Sequence, residues 1–166
     1  AQVYVATLGN SEMSEAIAEE EGIELSSLCG KRECFLFQVL KNGSLLIAGS
    51  DKRGTIYGLF HISELMGVSP FVHFADVVPA PQKEIIFSEK DSMQSKEPSV
   101  KYRGFFINDE WPAFGNWTFS HYGGFTAEMY DLIFETLLRL KGNYLWPAMW
   151  TSSFSLDGPR SEERRV

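Results

Sequence analysis

Cysteine, positive charge and long apolar runs are all scarce in this chain, and each shortage removes a class of protein. Cys29 and Cys34 are the only thiols in 166 residues. With no second Cys or His pair beside them they make neither a zinc site nor a disulfide framework, and they read as ordinary cysteines, Cys34 packed in a strand. A formal net charge of -7 leaves no basic footprint, which argues against nucleic acid or an anionic membrane as a partner. No stretch reaches the roughly 20 apolar residues of a membrane span, and no basic-then-apolar leader opens the chain. Because the first residue is Ala1 rather than Met, that absence leaves the compartment open.

Aromatic side chains, by contrast, are plentiful. They make up 14% of the chain, with Trp 4, Tyr 6 and Phe 13, and many lie outside the periodic segments, as on a recognition surface. Residues 3–8 read as a strand, followed by a helix for which Ser11 is the expected cap. Residues 34–40 and 44–48 read as antiparallel neighbours joined at Lys41-Asn42-Gly43, whose Asn-Gly pair supplies positive φ angles. A helix with Ile56, Leu59, Phe60, Ser63 and Met66 at helical spacing ends at Gly67, the expected left-handed cap. The glycine-rich turn before it, residues 49–54, lacks the Lys-Ser/Thr of a phosphate loop, since Thr55-Ile56 stand there. It reads as a helix start capped by Asp51 or Ser50, with Lys52 and Arg53 as loop cations able to meet an acidic ligand.

Prolines 70, 79 and 81 suggest extended segments near a sheet edge over residues 68–87. A polar stretch then reads as a connection. The expected organisation is a small α+β domain over residues 1–90, a linker over 91–99 and a second domain from residue 100 to 166.

The second domain carries the chemistry. The run Arg103-Gly104-Phe105-Phe106-Ile107 stops abruptly in Asn108-Asp109-Glu110-Trp111, and a similar run ends at Trp146-Pro147-Ala148-Met149-Trp150. A helix with Met129, Ile133, Leu137 and Leu140 in register lies between them, capped by Thr126 and stopped at Gly142. Two parallel strands of a βαβ unit follow from that order, and parallel sheets place their sites at this strand end. Residues 108–125 would form a loop far longer than the usual two to six or so residues, a length that marks functional loops.

Carboxylates beside exposed indoles suit a sugar, whose hydroxyls need ionic or amide partners and whose C–H faces need a flat apolar surface. Asp109 and Glu110 are neighbours on an extended segment, so their side chains diverge and only one can face the site. Asn108 either meets a hydroxyl or closes an Asx turn. Trp111, Trp146 and Trp150 are candidate sugar platforms, and His121, in a turn, is a candidate hydrogen-bond partner.

Three blocks, Gly49-Ser50-Asp51-Lys52-Arg53-Gly54-Thr55-Ile56-Tyr57-Gly58, Lys101-Tyr102-Arg103-Gly104-Phe105-Phe106-Ile107-Asn108-Asp109-Glu110 and Leu138-Arg139-Leu140-Lys141-Gly142-Asn143-Tyr144-Leu145-Trp146-Pro147-Ala148-Met149-Trp150, together resemble the family 115 glycoside hydrolases, xylan α-1,2-glucuronidases. The resemblance implies an α/β fold: a small α+β accessory domain, its opening strands missing, and then the first βαβ portion of a (β/α)8 TIM barrel. A complete barrel needs about 250 residues, so the resemblance implies a piece of an enzyme, inactive alone, with the principal acid and base outside it.

The implied activity is removal of α-1,2-linked glucuronic acid or its 4-O-methyl ether from xylan, the hemicellulose. The implied mechanism is inverting, with two carboxyl groups roughly 6.5–9.5 Å apart, no metal and no cofactor. Asp109 matches an acidic position near the family's pocket and is the first choice for binding or catalysis. Glucuronoxylan or xylo-oligosaccharides are the implied partners, a homodimer of the full-length protein the implied assembly, and an extracellular or periplasmic location the implied setting. A carbohydrate-binding remnant without catalysis and a barrel glycosidase of hexosaminidase type remain the alternatives. The charged tail from Gly158 onward departs from the family pattern.

Overall fold

The computed structural model describes residues 2–10 and 12–156, and these form a mixed α/β structure divided into two compact units between Lys101 and Tyr102. The Ser11 cap and the charged tail lie outside the described residues. No helix among the described residues is long and apolar enough to cross a membrane.

In the first unit, β1 (Val3–Thr7), β2 (Phe35–Val39), β3 (Leu45–Gly49) and β4 (Met93–Gln94) form one sheet in the order β1-β3-β2-β4. The parallel β1–β3 pair and the antiparallel β2–β3 pair put β3, buried along its whole length, at the centre. Successive side chains of a strand alternate faces, and both faces are covered. Phe35 and Phe37 meet the His61 ring of α2 (Lys52–Leu65) on one side. On the other, Leu36 and Ala48 cluster with Leu28 and Cys34, flanked by Ile23 and Leu25 beyond the end of α1 (Glu12–Glu21). Gly58 lets α2 lie close, since a Cβ there would stand 2.6 Å from Ile47 Cγ2.

Asp51 organises the turn into α2. Its Oδ1 accepts from the Gly54 N–H at 2.8 Å, capping the helix, and its Oδ2 accepts from the Glu33 N–H at 2.8 Å, just where Glu33 takes a left-handed φ of 56°. In the hairpin only Gly43 has a positive φ, so the turn is a three-residue loop with one left-handed glycine rather than an Asn-Gly pair.

Two expectations for this unit are corrected. Residues 68–87 form turns and irregular chain with no strand, as prolines there remove the donors a ladder needs. The polar stretch expected as a linker holds β4, which pairs antiparallel with β2. Its serines extend the edge by side chain: the hydroxyls of Ser95 and Ser92 accept from the N–H groups of Phe35 and Val39 at 2.8 and 3.0 Å.

In the second unit β5 (Gly104–Phe106) and β6 (Tyr144–Trp146) pair in parallel, as their sequence order required. Their starts are clamped together. The Arg103 N–H donates to Asn143 Oδ1 at 2.9 Å, the Asn143 N–H donates back to the Arg103 carbonyl at 2.8 Å, and the guanidinium donates to the Lys141 carbonyl. Between the strands lie α3 (Phe114–Tyr122) and α4 (Ala127–Arg139). The expected long loop is therefore half helix.

Thr126 caps α4 by accepting from the Met129 N–H at 3.4 Å, and Met129, Tyr130, Ile133 and Leu137 are buried. The helix ends in a Schellman motif, with Lys141 and Gly142 donating to Leu138 and Leu137. Lys141, at φ 56°, and not Gly142 takes the left-handed position. Gly142 is small for another reason: a Cβ would press on Leu137 Cγ and the Arg103 carbonyl, each at 3.1 Å.

Two outcomes follow from these contacts. Asp51→Ala should lower the unfolding free energy of the first unit by about 0.5–2 kcal/mol, the usual worth of a helix cap, and a urea melt monitored on that unit measures it. At Gly104 a Cβ would collide with the Tyr144 carbonyl oxygen, so Gly104→Ala should cost at least the ~1–3 kcal/mol of an overpacked site. Thermal melting read through tryptophan fluorescence checks the second.

Candidate functional site

Where β5 and β6 end, the chain leaves the sheet on two adjacent segments that open an exposed cavity of about 470 Å³. Phe106, Asn108, Asp109 and Glu110 line it from the β5 side, and Met149 and Trp150 from the β6 side. Two carboxylates, one amide and one indole thus share a pocket without a cation among its lining residues. The strands alone fix this, because parallel pairing delivers both C-terminal ends to the same edge.

Asp109 and Glu110 do diverge, but Asp109 turns inward. It is 1% exposed. Its Oδ2 accepts from the Trp150 N–H at 2.9 Å, the Thr151 N–H at 2.7 Å and the Thr151 hydroxyl at 3.3 Å, while Oδ1 takes a longer branch from Trp150 at 3.2 Å. Burial pushes its carboxyl up, yet the surrounding backbone N–H groups of Thr151, Asp109, Trp150 and Met149 outweigh that and hold it below the ordinary value. A carboxylate kept ionised in this way is no proton donor near neutrality and a weak base. Glu110 is exposed, and its N–H closes an Asx turn on Asn108 Oδ1 at 3.1 Å.

The tryptophans separate. Trp150, 76% exposed, stands in the cavity wall. Trp146 is half-exposed on the sheet, its ring edge-on to Phe106 at 5.4 Å and its indole N–H directed at Met149 Sδ at 3.4 Å. Trp111 lies over Gly115 of α3 and against Phe119, away from the lining set. His121 sits in the last turn of α3 rather than in a turn. It stacks on Trp117 at 4.7 Å, with Nδ1 donating to the Trp117 carbonyl at 2.8 Å.

Lys52 and Arg53 belong to the other unit, where Arg53 pairs with the buried Glu33 at 3.5 Å and Asp51 occupies the helix N-terminus that an anion would need. Three residues at the site were not among the candidates read from the sequence. Phe106 and Met149 could have been found by following the strand ends, whereas Thr151 had no signal. Tyr130 also reaches this region from α4: its hydroxyl accepts from the Ala148 N–H at 3.1 Å and anchors the segment after β6.

The family profile of glycosyl hydrolase family 115 matches residues 95–165, which include this site. No curated protein matches the chain. Among solved structures, a novel family GH115 4-O-methyl-α-glucuronidase with specificity for decorated arabinogalactans matches at 39% identity and a TM-score of 0.77, over 89% of this chain and 20% of that one. The chain is similar to a piece of a glycosyl hydrolase of family 115, and it spans about a fifth of the length of that solved relative.

Replacing Asp109 by Asn would remove the charge that strengthens these bonds and, with the amide oxygen in the Oδ2 place, set the N–H₂ against the Trp150 N–H, a loss of about 1–3 kcal/mol. The pH dependence has a definite sign. A carboxyl whose folded value lies below its unfolded one adds stability that is fully present above the ordinary value of 3.8 and is lost as pH falls through the folded value. The stability gap between the parent and Asp109→Asn should therefore be widest above about pH 5 and shrink on acidification. Urea melts from pH 7 down to pH 3 measure that gap.

Proposed function

We propose that this segment is the sugar-binding edge, and the opening βαβ portion of a (β/α)8 barrel, of a glycoside hydrolase that releases α-linked 4-O-methylglucuronic acid or glucuronic acid from a plant polysaccharide. The observation that carries the reading is the cavity at the paired ends of β5 and β6, where Asn108, Glu110 and the Trp150 indole converge within the stretch matched by the family. An indole face takes the C–H side of a pyranose, and an exposed carboxylate and amide take its hydroxyls. Since no cation among the described residues lines the cavity, the sugar turns its hydroxyl edge to this wall and its own carboxylate away from it.

Hydrolysis proceeds with inversion at an α-1,2 linkage, through an acid and a base supplied by further strands of the barrel. Extracellular or periplasmic action and a homodimer of the intact enzyme belong to the same reading. Xylan is the backbone implied by the sequence motifs. A second backbone is favoured by one finding, namely that the solved relative is described as specific for decorated arabinogalactans.

The test uses the intact polypeptide that contains this segment, incubated with 4-O-methylglucuronoxylan and, separately, with a glucuronidated arabinogalactan. Release of the free uronic acid as the β-anomer, seen by proton NMR, is the expected result. Glu110→Gln should lower kcat/KM by roughly 10–100-fold, the worth of one hydrogen bond to a charged group. Sugar binding without any release would favour the non-catalytic alternative, and release of an N-acetylhexosamine the hexosaminidase one.

A further inference from the structure

The segment after β6 has no regular structure, yet it carries the most exposed wall of the cavity. Its later part packs through Phe154 on Tyr130 and Phe134 of α4, and three contacts hold residues 148–151. Ala148 is tied to the Tyr130 hydroxyl of α4, Met149 meets the Trp146 indole, and Trp150 and Thr151 are tied to Asp109. Among the described residues only the last links this segment to the end of β5, the other side of the cavity. The Trp150 ring itself makes no ring contact among the described residues, so its place depends on its backbone.

The closest donors on Asp109 come from Trp150 and Thr151, with the backbone N–H groups of Met149 and Asp109 itself adding to them, and an ionised carboxylate is acceptor-only. Most of its capacity is thereby occupied by the chain. We propose that Asp109 is a positioning residue whose carboxylate pins residues 150 and 151 to the end of β5, fixing the Trp150 indole as a wall of the cavity and leaving Glu110 as the carboxylate that meets a ligand. The low proton affinity of Asp109 fits this, because the N–H groups that hold the segment also favour the ionised carboxylate. The pin stands independently of any activity; only its effect on turnover rests on the glucuronidase reading above.

Amide hydrogen exchange tests the pin in the intact polypeptide. In Asp109→Asn the Trp150 and Thr151 amides should lose at least tenfold protection, while Glu110→Gln leaves both unchanged. Unchanged protection at both amides in a folded Asp109→Asn protein would overturn the proposal. Should that variant fail to fold, the parent protein decides: the Trp150 and Thr151 amide proton shifts should titrate together with the Asp109 carboxyl carbon, below the ordinary carboxylate range, and amide shifts indifferent to that titration would refute it.

The kinetic arm uses 4-O-methylglucuronoxylan. Asp109→Asn should raise KM at least tenfold with a smaller change in kcat, and adding Trp150→Ala should change little more, because both substitutions remove the same wall. Additive losses, or a fall confined to kcat with a lost limb in the pH profile, would instead make Asp109 a direct acid–base or substrate contact. A parent protein without turnover would sink the glucuronidase reading and leave the exchange result standing as the measure of the pin.

Discussion

Everything at the site depends on the parallel pairing of β5 with β6. Parallel strands cannot be joined by a short turn, so the chain must travel through α3 and α4 before it returns, and on its return it must register residue for residue. The clamp at the strand starts does this: Arg103 and Asn143 exchange backbone and side-chain hydrogen bonds, the Arg103 guanidinium holds the last carbonyl of the turn after α4, and Gly104 allows the Tyr144 carbonyl to approach closer than any side chain would permit. With the starts fixed, the ends are fixed, and the ends carry Asp109 and Trp150.

The two faces of this small sheet differ. Phe105 and Leu145 point to one face and are partly covered, whereas Phe106, Tyr144 and Trp146 point to the other and are about half-exposed, joined there by Tyr102. Parallel sheets ordinarily bury both faces. Met129, Ile133 and Leu137 of the α4 stripe are buried while Leu140 at its end is exposed; the wider open apolar surface is the aromatic face of the strands. The barrel proposed for the intact enzyme would close over that face and place the cavity at its mouth.

Much of this was legible in the residues, for identifiable reasons. β5, α4 and β6 follow from short apolar runs and a helical stripe, Thr126 and Asp51 cap helices as their side chains allow, and Cys34 lies buried at the start of β2. α3 was not legible because, apart from the left-handed cap at Gly123, it lacks the usual signals. Ala113 offers no capping side chain, Gly115 and Thr118 are weak helix formers, and what holds the helix is stacking of Phe114, Trp117 and His121 at spacings of three and four. β4 was hidden because two residues carry no period, and the serine hydroxyls that extend its pairing give no strand signal. Alternation along a strand predicted that Asp109 and Glu110 diverge, but not which one faces inward, since that depends on donors at Trp150 and Thr151, some forty residues away.

The central claim is that the ends of β5 and β6 form a wall for a uronic acid. The most direct measurement is a crystal structure of the intact polypeptide with 4-O-methylglucuronic acid bound. The account requires the pyranose ring against the Trp150 indole, with Asn108 or Glu110 within hydrogen-bond distance of its hydroxyls and Asp109 still on the Trp150 and Thr151 amides. A sugar bound away from this strand end, or one whose carboxylate is seated on Asn108 and Glu110, would contradict it.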